Sequence, residues 1–209
     1  MKNYGKLVAG LISGWLVVVL VASALDGFVN PAKRIGVAVA VAAVAPILIF
    51  VIWLAASPGF RRFTQSLDPR ILTLLQSSRV LGVVFVILGA RGILPQLFAQ
   101  PAGYGDITIG VTAPLVALWL AARQHRLSFI AWQLLGIADL VVAVALGTTA
   151  RLIDPLGPSM VAVTVLPLSL IPTFLVPLFL IIHLICIRQA RLWPQTPVHT
   201  SCAPAASRS

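Results

Sequence analysis

A chain of 209 residues that is 59% hydrophobic and 10% charged, with a mean hydropathy of +1.03, has too few polar side chains to coat a water-soluble globule, so lipid must be part of its solvent. Its 15 Lys and Arg stand against five acids, all aspartates, and the absence of glutamate removes every mechanism that needs a glutamate acid, base or metal ligand. The net charge of +10 does not indicate nucleic acid, because the bases are scattered between apolar runs and form no basic stripe with interleaved aromatics.

Crossing a hydrocarbon layer of roughly 30 Å takes about 20 apolar residues in a helix, which satisfies its own backbone there. Six runs qualify, at about 7–25, 34–56, 71–90, 107–122, 128–147 and 161–187. The first follows a basic "MKNYGK" and ends in Ala22-Ser23-Ala24, as a cleavable signal does. Its apolar stretch is long for a signal, and Gly10 with Gly14 makes a small-residue face suited to helix packing, so a retained span is expected. Pro46 interrupts the second run and Pro114 the fourth, while Arg79 falls inside the third.

Between the third and fourth runs, "LPQLFAQ" (94–100) reads as a short interfacial or re-entrant helical piece and "PAGYGD" (101–106) as a turn. Gly103-Tyr104-Gly105-Asp106 resembles the end of the potassium-channel filter loop, but only over those four positions. Pro101 and Ala102 stand where that loop has Thr and Val, so a threonine hydroxyl is missing and the proline restricts the backbone just below the filter. The expectation is a glycine turn with Asp106 capping the fourth helix.

Asp139 lies within the fifth run. The sixth carries Pro167, Pro172 and Pro177, which predict a bent or broken helix. From 193 the composition turns to Pro, Ser, Thr and Ala without an apolar period, predicting a flexible cytoplasmic tail (193–209) behind a transmembrane domain (1–192). Cys186 and Cys202 have no neighbour at metal-ligand spacing, and no disulfide, metal or other cofactor is expected.

With the N-terminus inside, Lys2, Lys6, Arg61, Arg62, Arg70, Arg123, Arg126, Arg188, Arg191 and Arg208 fall on the inner side, and Lys33, Arg34, Arg91 and Arg151 on the outer. That bias predicts a bacterial inner-membrane protein with both termini cytoplasmic.

A charge at membrane depth costs some kilocalories per mole, so it faces the bundle interior and takes a partner. At about 1.5 Å per residue, Arg79 and Asp139 lie roughly 12 and 16 Å from the same face, close enough to pair. His183 and Gln133 sit at a depth that extends this polar interior; for His183 both proton transfer and ordinary hydrogen bonding stay open. Each outer loop pairs an acid with a base, and Asp26, Arg91, Asp106, Arg151 and Asp154 could converge on an outer rim.

No GxxxxGK[ST], HExxH, GxSxG or GxGxxG motif appears. The reading is an all-α polytopic membrane protein, a bundle of six transmembrane helices. Its leading function class is a small transporter or permease-like protein moving a small solute or ion, with Arg79, Asp139, His183 and Gln133 as substrate or proton pathway. The alternatives are a membrane-embedded enzyme on a lipid or apolar substrate and an assembly subunit of a membrane complex. The lipid bilayer is the expected partner, a homo-oligomer fits the small size, and the sequence names no substrate.

Overall fold

Hydrocarbon offers the backbone no hydrogen-bond partner, so apolar runs in this chain wind into helices. The computed structural model describes residues 2–30 and 35–194, and among the described residues there is no strand. Six helical stretches are long and apolar enough to cross a membrane: Tyr4–Ala24, Val37–Ala56, Pro69–Ala90, Gln96–Ala121, Arg126–Ala150 and Ile171–Ala190.

Helix α1 (Lys2–Ala24) and α2 (Val37–Ala56) are regular and largely exposed along their lengths. The expected packing face of α1 is open within the chain, since a Cβ at Gly10 or Gly14 would meet nothing within 4 Å. A short amphipathic helix follows, α3 (Pro58–Gln65). Ser57 caps it by accepting from the Phe60 amide at 3.2 Å, and Pro58 supplies the pre-set φ of a first helical position. Its Phe60 stacks on Trp53 at 4.0 Å between ring centroids, with Tyr4 and Phe63 beside it, while Arg62 stays exposed. Its apolar and basic faces have the pattern of helices that lie in a membrane interface.

The third span is wound in three ways: α4 (Pro69–Leu75), a 3-10 stretch (Gln76–Gly82) and α5 (Val83–Ala90). Asp68 caps α4 by accepting from the Arg70 amide at 2.8 Å. The fourth span departs from the sequence expectation. Helix α6 runs Gln96–Leu115 and continues as a π turn, Val116–Ala121, so "LPQLFAQ" and "PAGYGD" supply its opening turns and form no separate piece or turn. Tertiary packing overrides the weak helix propensity of the glycines. A Cβ at Gly110 would press on the Val80 backbone nitrogen at 2.5 Å, and one at Gly103 on Val86 Cγ2 at 2.5 Å.

Helix α7 (Arg126–Ile153) overruns its predicted ends. The proline-rich sixth stretch is broken as expected, into a 3-10 turn (Met160–Thr164), a π turn (Ile171–Leu175) and α8 (Val176–Ala190). Helix α8 is the most buried of the spanning helices and forms the bundle's centre. Gln189 ties its end to the α3–α4 elbow, donating to the Thr64 and Leu67 carbonyls at 2.7 and 2.8 Å. The predicted tail lies, from residue 195, outside the described residues.

Candidate functional site

In a 3-10 helix residues three apart eclipse one another. Tight winding over Gln76–Gly82 therefore sets Gln76, Arg79 and Gly82 in one row, and all three are buried. Thr73 and Phe85 extend the row in both directions and are buried as well. The third span thus turns a polar ridge toward α6, α7 and α8.

Arg79 is the centre of this ridge, with a side chain wholly withdrawn from the surface. Its Nε donates to Asp106 Oδ1 on α6 at 2.7 Å, and its Nη2 donates to Asp139 Oδ2 on α7. Its Nη1 reaches the Gly136 carbonyl and His183 Nε2, each at 3.4 Å. Glycines make the approach possible. A Cβ at Gly82 would collide with Asp106, one at Gly105 with the Asp139 carboxylate, and one at Gly136 with the His183 ring.

Hydrogen-bond direction behind the arginine is fixed by its two ends. A guanidinium only donates, so His183 Nε2 accepts. The Thr73 hydroxyl gives its proton to the Pro69 carbonyl at 2.7 Å, so it accepts from Gln133 Nε2 at 3.5 Å. Gln133 Oε1 then faces His183, whose Nδ1–H donates to it. The result is a one-way chain from Arg79 through His183, Gln133 and Thr73 to the start of α4. Gln76 donates to the Phe179 carbonyl at 3.3 Å, and its Oε1 is buried without a partner among the described residues.

Residues 34–191 match a family described as a domain of unknown function, DUF8737. The chain belongs to that family. No curated protein matches the chain, and no solved structure does. The DUF8737 region begins beyond α1 and contains every residue of the arginine cluster.

Of the residues singled out in the sequence, this DUF8737 fold gathers Arg79, Asp139, His183 and Gln133 at one place. It separates the expected outer rim. Asp106 neither caps a helix nor pairs with Arg91: because α6 starts at Gln96, Asp106 lies about 15 Å along the axis at 1.5 Å per residue, where Arg79 takes it. Arg91 is exposed at the end of α5, and Asp26 is exposed in the turn after α1. Asp154 ends α7 and accepts from the Gly157 amide at 2.9 Å. The Arg151 side chain, like Lys33 and Arg34, lies outside the described residues. Among the described residues, the ion pairs are Arg70 with Asp68 and Arg79 with its two aspartates.

Sequence reasoning put Asp106 on the outer rim instead of beside Arg79, and it missed Thr73 and Gly136. A usable signal existed in the third span, where Thr73, Gln76, Arg79, Gly82 and Phe85 recur every three residues, a spacing neither a straight α-helix face nor a strand produces.

Proposed function

We propose that this membrane protein is a small proton-coupled carrier whose working centre is Arg79 with Asp106 and Asp139. The observation that carries the reading is two carboxylates on one guanidinium at the depth of the spanning helices. With all three ionised, the cluster bears one excess negative charge, which hydrocarbon disfavours strongly. A proton or a monovalent cation therefore completes it at rest. Loss of that cation changes the cluster by one unit of charge while Arg79 stays paired. The aspartates keep 15% and 14% of their side-chain surface exposed whereas Arg79 keeps none, so of the three groups the carboxylates are the ones with surface left for exchange. His183, Gln133 and Thr73 hold the guanidinium from behind. The Lys and Arg bias supports a bacterial inner membrane with both termini in the cytoplasm.

The test is infrared titration of the full chain in lipid nanodiscs. Wild type is expected to show one protonated carboxyl that titrates or yields to a monovalent cation, and Asp106→Asn or Asp139→Asn to remove that transition while the protein stays folded. Carboxylates that remain ionised at every pH and ignore cations would sink the reading.

A second reading, a packing or assembly subunit, draws on one observation. Two cavities, of about 710 and 360 Å³, are lined respectively by residues of α1, α2, α3 and α8 and by residues at the α5–α6 turn and the end of α7, and neither touches the cluster. On that reading the infrared transition is absent and the ion pairs serve only to register helices.

A further inference from the structure

Helix α1 is fastened to the bundle near its two ends. At one end Tyr4 meets Ser57 at 3.4 Å and packs on Trp53, Phe60 and Phe63. Toward the other, Ser169 Oγ donates to Ser23 Oγ at 2.9 Å, and Trp15 lies 4.6 Å from Phe174 between ring centroids. Between these fastenings α1 and α2 border a cleft of about 710 Å³, with Leu178 and Ile181 of α8 also lining it. Every lining side chain is apolar or Trp. From Val8 to Ala22 it follows α1 for about 21 Å at 1.5 Å per residue, deeper than one leaflet's half of a roughly 30 Å hydrocarbon layer.

One end of the cleft differs from the other by its surroundings. Trp53 and Phe60 line it there, Tyr4 adjoins them, and the amphipathic α3 closes it, which is the composition of a membrane–water interface. Two bases stand at that end, Arg61 and Arg62, directly after the lining Phe60, while Lys6 lies on the face of α1 turned away from the lining Val8, Leu11, Ile12 and Trp15. No acid lies on α1 or α3, and the nearby Asp68 is engaged by Arg70 at 3.6 Å. A long apolar slot ending beside two arginines complements a molecule with a hydrocarbon tail and an anionic head.

We propose that the cleft between α1 and α2 seats an acyl chain of an anionic glycerophospholipid from the surrounding bilayer, with its phosphate held by Arg61 and Arg62. The lipid would fill the space that α1 and α2 leave between them and complete the bundle's packing on that side. This site is separate from the arginine cluster and does not depend on the carrier reading.

The experiment is native mass spectrometry of the full chain released from micelles, with phosphatidylglycerol or phosphatidylcholine added. Wild type is expected to retain phosphatidylglycerol in preference to phosphatidylcholine. Replacing both arginines, Arg61→Gln with Arg62→Gln, is expected to weaken that retention about 30-fold, near fivefold for each charge removed. Ala45→Trp, which puts an indole into the cleft, is expected to abolish it while circular dichroism stays helical. If Ala45→Trp fails to fold, the arginine variant decides alone, because those side chains lie on an interfacial helix. Equal retention of both lipids, indifference to the arginine change, a lipid-free monomer, or a dimer dissolved by Ala45→Trp would each overturn the proposal, the last by making a second copy the occupant.

Discussion

Arg79 holds two carboxylates, and this arrangement makes the single and double replacements behave differently. Asp106→Asn or Asp139→Asn leaves one full ion pair and a neutral cluster, so each variant should remain folded. The double variant strands a buried guanidinium, and a loss of about 3–5 kcal/mol is expected in denaturant-induced unfolding monitored in mixed micelles. The glycines around the cluster make a second set of expectations. Gly105→Ala drives a methyl group into the Asp139 carboxylate and should cost about 1–3 kcal/mol. Tyr104→Ala, one residue away on an exposed face, should stay within about 0.5 kcal/mol. Thermal melts of the pair answer what the Gly-Tyr-Gly-Asp stretch is for: close approach of two helices, with no filter loop. The pairing of Arg79 with Asp139 was legible by depth alone. Asp106 was hidden, because local chemistry gives Gly, Pro and Asp the marks of a capped turn and nothing local reports that Val86 and Asp139 press against those glycines.

Among the elements, α3 and the end of α8 depend on each other. The Gln189 amide satisfies two backbone carbonyls at the α3–α4 elbow, so Gln189→Ala leaves both without that donor. A loss of about 1–3 kcal/mol is expected, with faster amide exchange confined to Pro58–Leu75, read by hydrogen-exchange mass spectrometry. The apolar runs exposed the spanning helices in the sequence, since about 20 residues without a charge have few other fates. They could not expose α3, which is eight residues long and carries two arginines. The broken sixth span was legible from Pro167, Pro172 and Pro177. The length of α6 was not, because its second and third turns, Pro101 to Asp106, are written in residues that ordinarily end helices.

At the scale of the whole molecule, the alternation of spans sets Gln65 and Gly157 at opposite ends of the bundle. In a chain with Cys186 and Cys202 replaced by alanine, single cysteines at these two positions should react with an impermeant maleimide from opposite sides of sealed vesicles. The Lys and Arg bias predicts that Gln65 reacts from the cytoplasmic side. Labelling of both from one face would refute the alternation. The all-helical, six-span architecture is the part of the molecule most open to a reader of the sequence, because it follows from composition and length. The meeting of α6 with the ridge of the third span is set by shape, and shape is not written in any one segment. The tight winding of Gln76–Gly82 has a mechanical corollary. A 3-10 turn rises about 2.0 Å per residue and an α turn about 1.5 Å, so rewinding those seven residues would draw Val83–Ala90 inward by roughly 3.5 Å while rotating it like a screw. Asp106 and Asp139 hold Arg79, at the middle of that stretch, and such a rewinding would have to pull the guanidinium away from both.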